Sequence, residues 1–216
     1  MLKKSEDVLH RLVWLFTLSS LAGFWLESLQ SWIDLGYVEN RQGLLYGPFT
    51  PIYGLGAVLF ALAFPVLRTR QAGLIFLITG AAGALFEYGC SLFQETAFGT
   101  ISWEYSNIGL DWHGRTNLIL ALCWGGLGVF FTLAFYPAFA RHMDCQPRRG
   151  RRLLTLVLLC FFLSNGLLSA AALVRQNQRR ADVPAFSAVS AFLDLHFPDG
   201  RMEATFPNMS VVHSFS

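Results

Sequence analysis

Five stretches of this chain, at about 8–30, 50–67, 73–93, 117–139 and 153–174, are long and apolar. A helix needs about 20 such residues to cross roughly 30 Å of hydrocarbon. A bilayer core admits only backbone whose polar groups are satisfied internally, so runs of this length are read as helices. The rest of the composition agrees: 54% of residues are hydrophobic and 14% charged, against roughly 25% charged in an ordinary soluble domain. The expected fold is therefore all-α, a polytopic membrane protein of about five transmembrane helices. Residues 1–180 form the bundle and 181–216 a C-terminal tail. The second stretch is the shortest and meets Pro65 just before Arg68 and Arg70, which leaves a re-entrant or tilted segment as its alternative. The first is too long for a signal peptide, contains Glu27 and lacks a small-residue cleavage site, so a retained helix is expected. In the tail, AFSAVSAFLDLHF has the pattern of a short amphipathic helix, whereas FPDGRMEATFPNM reads as loop and turn.

Short loops rich in Lys and Arg stay on the cytoplasmic side of a membrane. Lys3, Lys4 and Arg11, then Arg68 and Arg70, then Arg141, Arg148, Arg149, Arg151 and Arg152 place ten of the sixteen basic residues on one face. The N-terminus is thus expected inside, and the two long interhelical loops and the tail outside. Arg175, Arg179 and Arg180, close after the last stretch, run against that assignment.

The first four stretches carry similar marks in the same order, as two copies of one unit would. Gly23-Phe-Trp-Leu-Glu27 matches Gly83-Ala-Leu-Phe-Glu87, and Tyr53-Gly54-x-Gly56-x-Val58 can be set against Trp124-Gly125-x-x-Gly128-Val129 with gaps. A single loop arginine, Arg41 or Arg115, stands between the marks of each unit. The expectation is a parallel two-helix repeat, units about 8–67 and 73–139, followed by a fifth helix at about 153–174. Parallel repeats occur in transporters, with the site at their interface.

Glu27 and Glu87 are the first candidates for chemistry, because an ionisable residue inside a span costs about 3 kcal/mol to insert and needs a named partner. Arg41 and Arg115 are the expected partners. The carboxylates could serve proton coupling, or an ion pair that opens and closes, or they could cap a structural network with the loops. Trp32, Asp34, Tyr37 and Tyr46 in one loop, and Trp103, Glu104, Tyr105, Trp112 and His113 in the other, suit a membrane interface, with an aromatic cage for a cation as the alternative. Asp111 and His113 have no second His at ligand spacing, so no metal is expected. The four cysteines form no C-x-x-C pair and read as packing residues. Gly80, Gly83, Gly125, Gly126 and Gly128 read as close helix packing, with no cofactor implied. Pro48 and Pro51 suit the first turn of a helix.

A Walker A loop needs a lysine, and the chain's lysines are Lys3 and Lys4; ATP hydrolysis by a P-loop in this chain is excluded. The arginines of 141–152 read as an anchor to anionic lipid rather than a nucleic-acid site.

GFWLES, NRQGLLYGPFTPIYGLGAV, LFEYGCS and WEYSNIGLDWHGRTNLILALCWGGLGV together resemble the bacterial family of ABC-transporter type IV permeases, over about residues 20–135. The matching positions are Asn40-Arg41, Gly47-Pro48-Phe49, Pro51-Ile52-Tyr53-Gly54, Gly56, Trp103, Tyr105, Gly114-Arg115 and Trp124-Gly125. Two departures are Glu104, where the family often has aspartate, and Gln42, inserted after Arg41. The resemblance implies a permease subunit of the bacterial cytoplasmic membrane working with a separate ATPase subunit. The partners expected are that ATPase, the lipid bilayer and a second copy of the chain in a homo-oligomer. Two other functions fit the same residues. One is a membrane-embedded enzyme acting on a lipid or envelope precursor, with Glu27 or Glu87 as base and an arginine holding phosphate. The other is a non-catalytic sensor or assembly factor.

Overall fold

The computed structural model describes residues 2–145 and 150–212, with side chains from Asp7 onward; Arg148, Arg149 and the side chains of Lys3 and Lys4 lie outside the described residues. Its long helices are α1 (Leu2–Leu35), α3 (Ala72–Phe98), α4 (Leu118–Cys145) and α5 (Arg151–Arg180), each long and apolar enough to cross a membrane. The chain is an all-α membrane protein in this sense. Helix α2 (Pro51–Leu67) runs through Pro65 but has only 17 residues. At 1.5 Å per residue it is roughly 25 Å long, a little under the roughly 30 Å of a hydrocarbon core.

The reason α2 is short lies in how it starts. Pro51 occupies the first helical turn, where its missing N–H is no loss. The Thr50 N–H donates to the Ser20 carbonyl at 3.0 Å, so α2 begins level with the middle of α1. Pro48 is not in the helix; it belongs to the segment leading down to it. That segment must have its backbone satisfied without helical bonds, and α5 supplies the partners. Asn165 accepts from the Tyr46 N–H and donates to the Tyr46 carbonyl, and the Ser169 hydroxyl accepts from the Leu45 N–H.

The other ends are set by local chemistry. Helix α3 stops at Gly99, whose left-handed φ of 60° closes the last turn. Two-residue strands β2 (Asp111–Trp112) and β3 (Thr116–Asn117) pair across a three-residue connection, His113 to Arg115, in which His113 and Gly114 both take positive φ. Asn117 then caps α4, accepting from the Leu120 N–H at 2.9 Å. Midway along α4 a π-turn at Phe131–Phe135 interrupts the regular bonding.

The hairpins α1–α2 and α3–α4 are each closely packed. A Cβ built on Gly23 of α1 would stand 2.8 Å from the Tyr53 Cβ of α2, and one on Gly83 of α3 would stand 2.5 Å from the Trp124 Cβ of α4. Small residues at these two points let the helix backbones approach. The hairpins meet at the end nearer the chain's N-terminus, where Leu15, Phe60, Phe131, Tyr136, Phe139 and Met143 form an apolar cluster. There Arg151 pairs with Asp7 and Arg11 with Asp144, tying α1 to α4 and α5.

At the opposite end the tail folds over the loops. Helices α6 (Ala188–His196) and α7 (Asp199–Thr205) bury Leu193, Phe197, Met202 and Phe206 against Leu45 and against Ala172 and Leu173 of α5. The amphipathic segment is thus a helix, as its pattern predicts. The loop-and-turn reading of FPDGRMEATFPNM is corrected: Pro198 precedes a real helical turn whose Met202 is buried. Strand β4 (Ser210–Val211) pairs antiparallel with β1 (Thr100–Ile101), just after α3. Arg175 is buried to 3% side-chain exposure and grips Asp194 through two bonds of 2.8 Å, while Arg179 reaches both Asp194 and Asp199. These hydrogen bonds hold the Asp194 carboxyl down at about 2. Two of the three tail arginines that run against the charge-based orientation, Arg175 and Arg179, are therefore matched by tail carboxylates.

Candidate functional site

Between the apolar cluster and the tail cap lies a chamber of about 910 Å³, within the roughly 300–1,000 Å³ of small-molecule sites. Of the eight residues singled out in the sequence, it is lined by Glu27, Arg41, Tyr53, Glu87, Trp103, Tyr105 and Trp124. Arg115 is not among its lining residues. Phe60 and Trp124 rings, 5.9 Å apart, close its floor onto the apolar cluster. Phe206, Asn208 and Met209 of the tail form part of its roof.

Each hairpin contributes a carboxylate from its first helix and an aromatic side chain from its second. The Tyr53 ring lies beside Glu27 and the Trp124 indole beside Glu87, with Gly23 and Gly83 making room for the rings. Glu87 is 7% exposed and fully engaged: Thr116 donates to Oε2 at 2.9 Å and Tyr105 to Oε1 at 3.3 Å. Burial, with Glu87 alongside, pushes the Tyr105 phenol well above its usual range, so it acts as a donor.

The expected arginine partners are not the ones found. Arg41 makes its ion pair with Glu39 at 2.9 Å, not with Glu27, although its charge still faces Glu27 across the chamber. Arg115 pairs with Glu95 and donates to Ser91 at 3.0 Å, not to Glu87. The reason is geometric: the glutamates lie deeper than the loop backbones, and the arginines find acidic neighbours at their own level. A serine one turn beyond each glutamate fastens the loops. Ser31 accepts from the Glu39 N–H and Ser91 receives Arg115. The repeated pattern is therefore Gly-x-x-x-Glu-x-x-x-Ser, at Gly23, Glu27 and Ser31 and again at Gly83, Glu87 and Ser91. Its serine was visible in the sequence and unused in the reading above. Trp103 donates its indole N–H to the Arg115 carbonyl at 3.0 Å, which sets the second loop over the chamber.

The structural motif residues divide in the same way. Gly47 has a φ of 85°, and Pro48 and Pro51 steer the descent into α2. Gly54 packs on Phe16 and Ser20 of α1, and Gly56 on Trp124. Among the described residues, no group of three His, Cys, Asp or Glu side chains is placed to hold a metal ion. What sequence reasoning missed is the tail: nothing in Phe206, Asn208 or Met209 marks them as chamber residues before the fold is known.

Helices, chamber and cap together define a polytopic membrane protein with an aromatic-lined cavity, carrying a few carboxylates, set into one end of its bundle. The chain belongs to the family described as Putative ABC-transporter type IV, which matches it over residues 14–170. Comparison with curated proteins and with solved structures gives no match.

Proposed function

We propose that the chain is a permease or transport-associated subunit of a bacterial cytoplasmic membrane, with its N-terminus inside and the chamber opening outward to receive a solute. The observation that carries this reading is the chamber, which gathers the carboxylates of Glu27, Asp34 and Glu87 and the rings of Tyr53, Trp103, Tyr105 and Trp124 from both hairpins and their loops into one cavity. Membership of an ABC-transporter family supports an energy source on a separate ATPase subunit. The repeated carboxylate–aromatic pair supports reading the hairpins as two copies of one unit, with the solute site between them.

The packed cluster of Phe60, Phe131 and Tyr136 below the chamber is then the barrier that must open for passage. The same cluster suits a second reading, a membrane sensor or assembly factor whose ligand binds from one side and never crosses.

Purification from the native membrane in mild detergent is expected to bring down a nucleotide-binding subunit, and ATP-dependent solute movement is expected in vesicles holding both. Recovery of the chain alone in repeated mild extractions would refute the ABC reading. A bound ligand with no transport would favour the sensor.

A further inference from the structure

The chamber has two unlike walls, and together they specify a ligand class. This inference rests on reading the chamber as a ligand site. Its charged lining residues are Glu27, Asp34, Glu87 and Arg41, and the arginine is already matched by Glu39. Negative charge is therefore in excess where the aromatic rings Tyr53, Trp103, Tyr105 and Trp124 also converge. Electron-rich ring faces beside carboxylates are a setting for an organic cation, whose desolvation is offset both by charge and by the ring quadrupoles.

The second wall is apolar. Leu55 of α2 and Ile119, Cys123 and Leu127 of α4 line the chamber. Ile119, Cys123 and Leu127 are four residues apart and so share one helix face. Leu55, Ile119 and Leu127 are 47%, 60% and 46% exposed, so much of this wall is uncovered by protein. Helices α2 and α4 touch at the floor, through Phe60 with Trp124 and Phe131; Leu55, Ile119 and Cys123 lie above that contact and Leu127 level with it. In a membrane, such an uncovered stripe meets lipid chains rather than water.

We propose that the chamber binds an organic cation carrying an apolar chain, its charged head held between Glu27 and Glu87 and its chain lying along Leu55, Ile119, Cys123 and Leu127 between α2 and α4. A ligand of this shape enters sideways from the outer leaflet, so the tail cap need not move for it to bind.

The test uses the full chain in nanodiscs of zwitterionic lipid. The readout is the rate of maleimide modification of Cys123, followed by peptide mass spectrometry so that Cys90, Cys145 and Cys160 are resolved separately. The probes are dodecyltrimethylammonium, octyltrimethylammonium, tetramethylammonium and dodecanoate. Dodecyltrimethylammonium is expected to protect Cys123 saturably, at a concentration at least about tenfold below that for tetramethylammonium or dodecanoate, with the octyl compound between. The double variant E27Q/E87Q is expected to raise the protecting concentration by about tenfold or more, each tenfold being about 1.4 kcal/mol. Should that variant fail to fold, the chain-length series on the native protein still decides the matter. Equal protection by dodecanoate would mean that charge is not read and would overturn the inference. Tight protection by tetramethylammonium, unimproved by a chain, would overturn the amphiphile while leaving a solute chamber standing. No protection by any probe would remove both.

Discussion

Gly54 is where the first hairpin is most exposed to a single added methyl group. In Gly54→Ala the new Cβ would stand 2.8 Å from the Phe16 carbonyl oxygen and 2.6 Å from the Phe16 ring, and would press on Ser20 as well. A side chain could rotate away; a carbonyl in the middle of α1 cannot. Restoring an ordinary contact requires α2 to withdraw from α1 by roughly half an ångström or more, and overpacking of this kind costs about 1–3 kcal/mol. Alanine offsets part of that, since it is about 1 kcal/mol better than glycine inside a helix. Gly126→Ala provides the reference, because nothing lies within 4 Å of its added Cβ and it gains the same propensity. The propensity terms cancel between the two variants, leaving a difference of about 1–3 kcal/mol in favour of Gly126→Ala. For a chain of this size that corresponds to a difference in Tm of very roughly 2–12 °C, at about 2–4 °C per kcal/mol. Thermal unfolding in detergent micelles, followed by tryptophan fluorescence, measures it. Equal melting temperatures, or a lower one for Gly126→Ala, would refute the argument that the α1–α2 backbones are held at glycine distance.

Three further outcomes are expected. Thr116→Val removes a 2.9 Å donor from Glu87, with both residues buried, and should destabilise the protein by about 1–3 kcal/mol in the same assay; an unchanged melt would mean water replaces the hydroxyl. Asp194 has its carboxyl depressed to about 2 from an ordinary 3.8, so its contribution to tail docking is complete above the ordinary value and is lost as pH falls toward 2. Limited pepsin digestion should accordingly leave residues 182–198 intact at pH 4 and cut them near pH 2, whereas equal cutting at both would sink the assignment. With the chamber outward, a membrane-impermeant maleimide added to intact cells should reach a cysteine placed at the exposed Asn107 of the second loop (Asn107→Cys), and modification only after the membrane is opened would reverse the proposed orientation.

The long helices were legible because hydrophobic length survives any detail of packing: the stretches near 73–93 and 153–174 lie inside α3 and α5. Glu27 and Glu87 were legible for a related reason, since a carboxylate in such a stretch stands out against its neighbours. Their partners were not. Whether Arg115 meets Glu87 or Glu95 depends on how far the 99–117 loop dips, and that is fixed by the His113–Gly114 turn and by Trp103 bonding to the Arg115 carbonyl. Helix α7 was hidden because its seven residues carry too little pattern by themselves; Met202 and Phe206 become helical by packing on Leu45 and α5. The segment before α2 looked like an interface loop, yet Asn165 and Ser169 draw it down beside α5.

The roof residues Phe206, Asn208 and Met209 come after α5 in chain order, so the ribosome delivers every wall of the chamber before its lid. A nascent chain with all its long helices inserted therefore passes through a state in which Glu27 and Glu87 face an uncovered cavity and β1 lacks its partner strand. For that interval the edge of β1 is open to any extended peptide. That edge is covered only when Thr100 meets Val211 and Ile101 meets Ser210. Assembly order thus puts the pairing of β1 with β4 after every long helix has been made.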